Sequence, residues 1–151
     1  MRDTNTTAVI PLALVDDDPL YSEVIAQDLI DRGFAVHKFP DGQTFLNAVQ
    51  QGLPVRIVLL DWTLPAMSGL AVLRTLRERR IDIPVVFLTG RCRIEYELAA
   101  LRSGAIDFVD KARGVDVLVP RMRLLVRSDV VQPEPEPVVC GPLLLQRHKG
   151  R

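Results

Sequence analysis

The chain has 151 residues, 48% of them hydrophobic and 25% charged, enough to bury one sizeable core and to predict one domain with short extensions. Nineteen basic residues balance nineteen acidic ones, so net charge gives no global reason to bind nucleic acid or anionic lipid. Cys92 and Cys140 lie far apart with no second Cys or His at ligand spacing, which argues for ordinary thiols over a disulfide or a metal site.

The start, residues 1–7, is polar, and the apolar stretch after it is too short for a signal peptide or a membrane span. Cytoplasmic residence without membrane contact is the expectation. Residues 11–15 read as a first strand, and 19–32 as a first helix with Val24, Ile25, Leu29 and Ile30 at helical spacing and Gly33 as its stop. A second strand at 35–39 leads to a helix opened by Asp41 or Gly42, carrying Phe45, Leu46 and Val49 and ended by Gly52. Residues 55–60 are continuously apolar, the pattern of a strand covered on both faces.

A helix over about 68–79 follows, with Leu70, Leu73 and Leu76 inward and Arg74, Arg77, Arg79 and Arg80 toward water. Residues 83–88 form another buried strand, 93–103 a helix closed by Gly104, 106–109 a short strand, and 116–127 a last amphipathic helix. Pro120 falls early in that helix and is tolerable only in its first turn, which places the regular start near Asp116 or later. Five strands each followed by a helix predict an α/β fold, a doubly wound parallel five-stranded sheet with helices on both faces.

Beyond Ser128 the composition changes. The run Gln132-Pro133-Glu134-Pro135-Glu136-Pro137 has nothing apolar to bury and predicts an extended spacer. The segment after it, from Val138 to Leu145, is strand-like and cannot form a core alone, so it reads as the opening of a further domain. The expected organisation is a tail at 1–8, a domain at 9–128, a Pro/Glu linker at 129–137 and a stub of a second domain at 138–151.

Three apolar runs end in reactive polar groups: Leu12-Ala13-Leu14-Val15-Asp16-Asp17, Ile57-Val58-Leu59-Leu60-Asp61 and Val85-Val86-Phe87-Leu88-Thr89-Gly90. As neighbouring parallel strands they would bring three carboxylates and a hydroxyl to one sheet edge, where open α/β folds bind ligands. Carboxylates crowded in a low-dielectric cleft repel unless a cation sits among them, and a hard divalent ion such as Mg²⁺ suits that donor set. A plainer use of Asp16 to Asp18 is to cap the first helix; Asp18 before Pro19 is the expected cap, and capping alone leaves Asp61 unexplained.

Four segments in order, Val15-Asp16-Asp17-Asp18-Pro19, the run from Leu60 to Gly69, Leu88-Thr89-Gly90 and the run from Gly104 to Lys111, resemble the signatures of the two-component response-regulator receiver domain. The resemblance runs from about Pro11 to Arg127. It implies a regulatory domain rather than an enzyme. Asp61 would be the phosphoacceptor for a sensor histidine kinase, with Mg²⁺ held by Asp16, Asp17 and Asp61, and with Thr89 and Lys111 on the phosphoryl oxygens. Thr89 and Phe108 would form the switch, moving the surface of the fourth helix, fifth strand and fifth helix; the plain alternative for Phe108 is core.

That surface carries Asp107, Arg121 and Arg123, and the run Arg121-Met122-Arg123-Leu124-Leu125-Val126-Arg127 resembles the fifth helix of OmpR/PhoB-type regulators. The resemblance implies an activated homodimer with Asp107 paired across it to Arg121 or Arg123, against the reading of a merely solvated face. The segment Val139 to Leu145 resembles the first strand before the winged helix of that subfamily, so DNA would be bound only through a domain absent from this chain. Two other readings are a pseudo-receiver that binds partners without phosphorylation, opposed by the intact site residues, and an aspartyl-phosphate phosphatase, opposed by Thr63 where a carboxylate acid would stand.

Some positions depart from the family pattern. Lys111 is followed by Ala112 rather than by a proline in a cis peptide, so a trans bond is the default. Trp62, beside the phosphoacceptor, is large enough to pack over the loop, shield the site or report on it. His37 and His148 fall in no motif and are read as surface residues.

Overall fold

Successive side chains of each central strand point to opposite faces of the sheet, and burial follows that alternation into two cores. A computed structural model describes residues 9–90, 94–105 and 107–127. In it β1 (Ile10–Val15), β2 (Phe34–Phe39), β3 (Ile57–Asp61), β4 (Val85–Thr89) and β5 (Asp107–Asp110) form one parallel sheet in the order β2-β1-β3-β4-β5. The helices are α1 (Pro19–Asp31), α2 (Gly42–Gln50), α3 (Gly69–Glu78), α4 (Ile94–Arg102) and α5 (Val115–Arg127). This is the doubly wound fold expected.

Leu12 and Leu14, Ile57 and Leu59, and Val86 and Leu88 face α1 and α5, meeting Ile25, Leu29, Leu118 and Met122. Ala13 and Val15, Val58 and Leu60, and Val85 and Phe87 face the other way, toward Phe45 of α2, Leu73 and Leu76 of α3, and Ala100 of α4. All residues of β3 and β4 are buried, as continuous apolar runs require of strands covered on both sides.

The helices start on side-chain caps. Asp18 accepts from the N–H groups of Leu20 and Tyr21, Asp41 from Thr44, and Ser68 from Ala71, with Pro19 at the first turn of α1. Gly33 sits at φ 101°, the left-handed conformation that lets the chain leave α1 and enter β2.

Three local expectations need correction. On α1 the inward residues are Ser22, Ile25, Ala26 and Leu29, while Val24 and Ile30 are exposed; the helix carries more apolar residues than one face can hold, and docking on the sheet selects only part of them. Arg77 does not point to water: it is half-buried and donates to the carbonyls of Ile81, Ile83 and Gly104, tying α3 to the β4 and β5 approaches. Burial lowers its pKa.

The third concerns Pro120, which lies in the second turn of α5, because the helix begins at Val115. Pro120 supplies no N–H to the carbonyl of Asp116 one turn earlier, and both residues are exposed at the surface. The expectations for Cys92, Cys140, His148, the helix start at Arg93, the strand start at Ile106, the tail at 1–8, the linker at 129–137 and the segment 138–151 lie outside the described residues. His37 is exposed, and no described helix is long and apolar enough to cross a membrane.

Candidate functional site

The strand order reverses between β1 and β3, and their carboxyl ends open a crevice between the connections that leave to opposite faces. Asp16 follows β1, Asp61 ends β3, Thr89 ends β4, and Lys111 opens a 3-10 turn directly after β5. Parallel register aligns these ends: Val15 pairs with Leu60, Asp61 with Leu88, and Thr89 with Asp110. All meet in a cleft of about 530 Å³ lined also by Asp17, Thr63, Gly90 and Tyr96.

The carboxylates of Asp16, Asp17 and Asp61 each offer an oxygen within 4.8 Å of the others. Asp16 and Asp61 are buried, and Asp17 is exposed. Local backbone aims them. Asp16 Oδ1 accepts from the N–H of Asp18 at 2.9 Å, and Asp61 Oδ1 accepts from the N–H of Thr63 at 3.2 Å. In each case the other oxygen, Oδ2, is turned toward Lys111, whose Nζ stands 2.7 Å from Asp16 and 3.6 Å from Asp61.

Burial and the neighbouring Asp16 push the Asp61 carboxyl up to about 6; the Lys111 ammonium and the Thr63 N–H oppose that rise, and Asp17 adds to it. Among the described residues, one ammonium faces three carboxylates in this cleft. Asp16 Oδ2 is also a buried oxygen that accepts no hydrogen bond of normal geometry, although the ammonium lies beside it. An all-oxygen donor set with a surplus of negative charge and such an oxygen fits a hard divalent cation.

Gly69 keeps α3 against this edge. A methyl group there would collide with the Asp61 carbonyl oxygen and stand 2.9 Å from the Phe87 ring. Gly90 leaves open space on the opposite wall.

The other expected residues lie elsewhere. Phe108 is fully buried beneath the cleft, its ring 5.5 Å from Trp62 and 6.1 Å from Phe87. Trp62 packs on Phe87 and stacks on Tyr96 at 5.2 Å, so it bridges the core to a wall of the cleft and does not cover the acidic residues.

Asp107 and Arg121 are already paired within one chain. Arg121 Nη1 donates to Asp107 Oδ2 at 2.6 Å, and Asp107 Oδ1 accepts from the N–H of Phe108. Arg123 turns away, donating to the Arg32 carbonyl with its guanidinium over the Phe34 ring. The expected contact across a dimer therefore meets an intrachain pair, because α5 packs beside β5 and brings Arg121 to Asp107.

Two residues at the site escaped the sequence reading: Tyr21, whose ring centroid lies 4.4 Å from Lys111 Nζ, and Tyr96, which lines the cleft. The available signal for Tyr21 was its place in the first turn after the Asp18 cap, on the helix that follows the acidic pair.

Residues 12–123 match the model of the response regulator receiver domain. The chain is 35% identical over 116 residues to the transcriptional regulatory protein QseB of Haemophilus influenzae, covering 77% of this chain and 52% of that protein. It is 36% identical over 117 residues to DltR of Streptococcus agalactiae, covering 78% of this chain and 52% of that protein. Among solved structures, DrrB of Thermotoga maritima, described as an OmpR/PhoB homolog, superposes with a TM-score of 0.68 at 30% identity over 78% of this chain and 52% of that one. The chain spans about half the length of the curated relatives it matches. With this match over most of its length, and with the acidic cleft at its sheet edge, the chain belongs to the response regulator receiver domain family.

Proposed function

We propose that this receiver accepts a phosphoryl group on Asp61 from a phosphohistidine of a sensor histidine kinase. The observation that carries this reading is the buried Asp61 carboxylate, opposite Asp16 and within reach of Lys111, in a cleft that Thr89 also lines. Asp61 Oδ2 attacks phosphorus; the P–N bond to the donor imidazole breaks, and its electron pair leaves with the nitrogen. The Lys111 ammonium offsets charge on the phosphoryl oxygens, and the Thr89 hydroxyl donates to one of them. Asp16, Asp17 and Asp61 would hold Mg²⁺, which supplies Lewis-acid charge neutralisation on the phosphoryl oxygens when bound.

The consequence of phosphorylation reaches Phe108 by register. Thr89 ends β4 beside Asp110, and Phe87 pairs with Phe108 two residues further inside. A Thr89 drawn toward a new dianion changes the packing around Phe108, and with it the surface of α4, β5 and α5. Through that surface the chain forms a homodimer and controls a DNA-binding output domain of OmpR/PhoB type, a reading supported by relatives named transcriptional regulatory proteins. The domain is regulatory, with no turnover of substrates other than its own phosphoryl group.

Treatment with a small acyl phosphate and Mg²⁺ tests this by intact mass. The wild type gains one phosphoryl group and Asp61→Asn gains none; size in solution rises with the modification. Equal mass gain in the variant rejects Asp61 as acceptor, no gain in the wild type favours a phosphorylation-independent module, and turnover of a generic phosphate ester favours a phosphatase.

A further inference from the structure

Lys111 is a flexible four-carbon stem ending in a point charge, so its catalytic use depends on what fixes the tip. Its backbone is fixed locally. The Lys111–Arg113 turn is capped by Asp110, whose Oδ1 accepts the Ala112 N–H at 2.8 Å, and the Lys111–Ala112 bond is trans. That cap needs an N–H on residue 112, which Ala112 supplies and a proline could not. It holds the base of the side chain and leaves four rotatable bonds free.

Among the described residues, three groups meet the tip: Asp16, Asp61 and the face of Tyr21, with the Nζ 4.4 Å from the ring centroid. The two carboxylates have other duties, Asp16 as a candidate metal ligand and Asp61 as the acceptor. Tyr21 has neither. Its backbone is anchored by the Asp18 cap on its own N–H at 3.2 Å, and its side chain packs against the core cluster that contains Leu12, Leu14 and Leu29. A cation on an aromatic face keeps its position while its carboxylate partners are taken up elsewhere, and the half-buried setting strengthens the contact.

We propose that Tyr21 is a positioning residue, whose ring face holds the Lys111 ammonium over the cleft while Asp16 and Asp61 are engaged in phosphoryl transfer. The proposal rests on the phosphoacceptor reading of Asp61. Tyr21 touches neither the acceptor nor the donor, and acts through Lys111. The property required is the π face; the hydroxyl is dispensable.

The whole chain can be tested with three side chains at position 21. Tyr21→Phe keeps the face, and Tyr21→Leu keeps apolar volume without it, so the core is preserved in both. The first readout is the proton shift of the Lys111 ε-methylene, assigned by its loss in Lys111→Met. The second is Asp61 phosphorylation by acetyl phosphate in Mg²⁺, resolved into maximal rate and half-saturating donor.

We expect the ε-methylene signal upfield in the wild type and in Tyr21→Phe, and at its ordinary position in Tyr21→Leu. The maximal rate should fall roughly 3- to 30-fold in Tyr21→Leu and stay near wild type in Tyr21→Phe. An undisplaced signal in the wild type, a displacement kept by Tyr21→Leu, or a Tyr21→Leu rate equal to wild type overturns the proposal. A rate lost equally in Tyr21→Phe does so as well, since the face then is not the agent. The expected shift pattern beside a wild type that takes no phosphoryl group upholds the positioning of Lys111 and overturns the phosphoacceptor reading instead.

Discussion

Lys111 Nζ lies 2.7 Å from Asp16 Oδ2, closer than to Asp61 at 3.6 Å, so the lysine engages the carboxylate that a divalent ion also needs. The two cations compete for one oxygen. Lys111→Met should therefore bind Mg²⁺ roughly tenfold more tightly at low salt while losing most phosphorylation. A Mg²⁺ titration followed by Trp62 fluorescence checks the first effect; unchanged or weaker affinity would show that the pair does not restrain the site.

The Asp61 carboxyl, pushed up to about 6 chiefly by burial and then by Asp16, predicts a pH dependence in metal-free protein. Its unfolded value is near 3.8, so between about pH 4 and 6 the folded state holds more protons than the unfolded one. Stability contributed by the protonated form is complete below pH 4 and is lost as pH rises through 6. Asp61→Asn, which cannot ionise, should be more stable than wild type at pH 7 by on the order of 1–2 kcal/mol, with the gap closing toward pH 4. Urea midpoints at the two pH values decide this.

The Asp107–Arg121 pair is mostly buried, with side-chain exposures of 10% and 22%. Arg121→Met removes the charge-assisted hydrogen bond to Asp107 Oδ2 and should destabilise the monomer by about 1–3 kcal/mol. Asp107→Asn in the same chain should recover much of that loss. Unchanged monomer stability in Arg121→Met would show that the intrachain pair adds nothing measurable to the fold.

Much of this organisation is legible in the sequence because it is local. The runs ending in Asp16, Asp61 and Thr89 carry strand pattern and functional group together, and period two then assigns Leu12 and Leu14 to one core and Ala13 and Val15 to the other. What escapes depends on docking. Val24 and Ile30 satisfy helical spacing yet stay exposed, since only the docking of α1 on the sheet chooses among its apolar residues. Arg77 looks like a surface charge until the carbonyls of Ile81 and Ile83 just after its helix and of the distant Gly104 receive it. Tyr21 and Lys111 are ninety residues apart in the chain (111 − 21), and no periodicity connects them.

Gly69 tests how closely α3 must approach the acceptor. Gly69→Ala forces a methyl onto the Asp61 carbonyl and the Phe87 ring, and should cost about 1–3 kcal/mol with a loss of phosphorylation larger than the loss of folded protein. Thermal unfolding together with single-turnover labelling separates the two. An alanine variant with wild-type values on both would mean that the α3 start is free to shift.

The most direct measurement of the central claim is the chemical identity of the modified residue. Phosphorylated protein, reduced with borohydride and sequenced by mass spectrometry, should show homoserine in place of Asp61, only when Mg²⁺ was present during labelling. Homoserine at another aspartate, or at Asp61 without any need for the divalent ion, would contradict the account of a cleft in which Asp16, Asp17 and Asp61 act together.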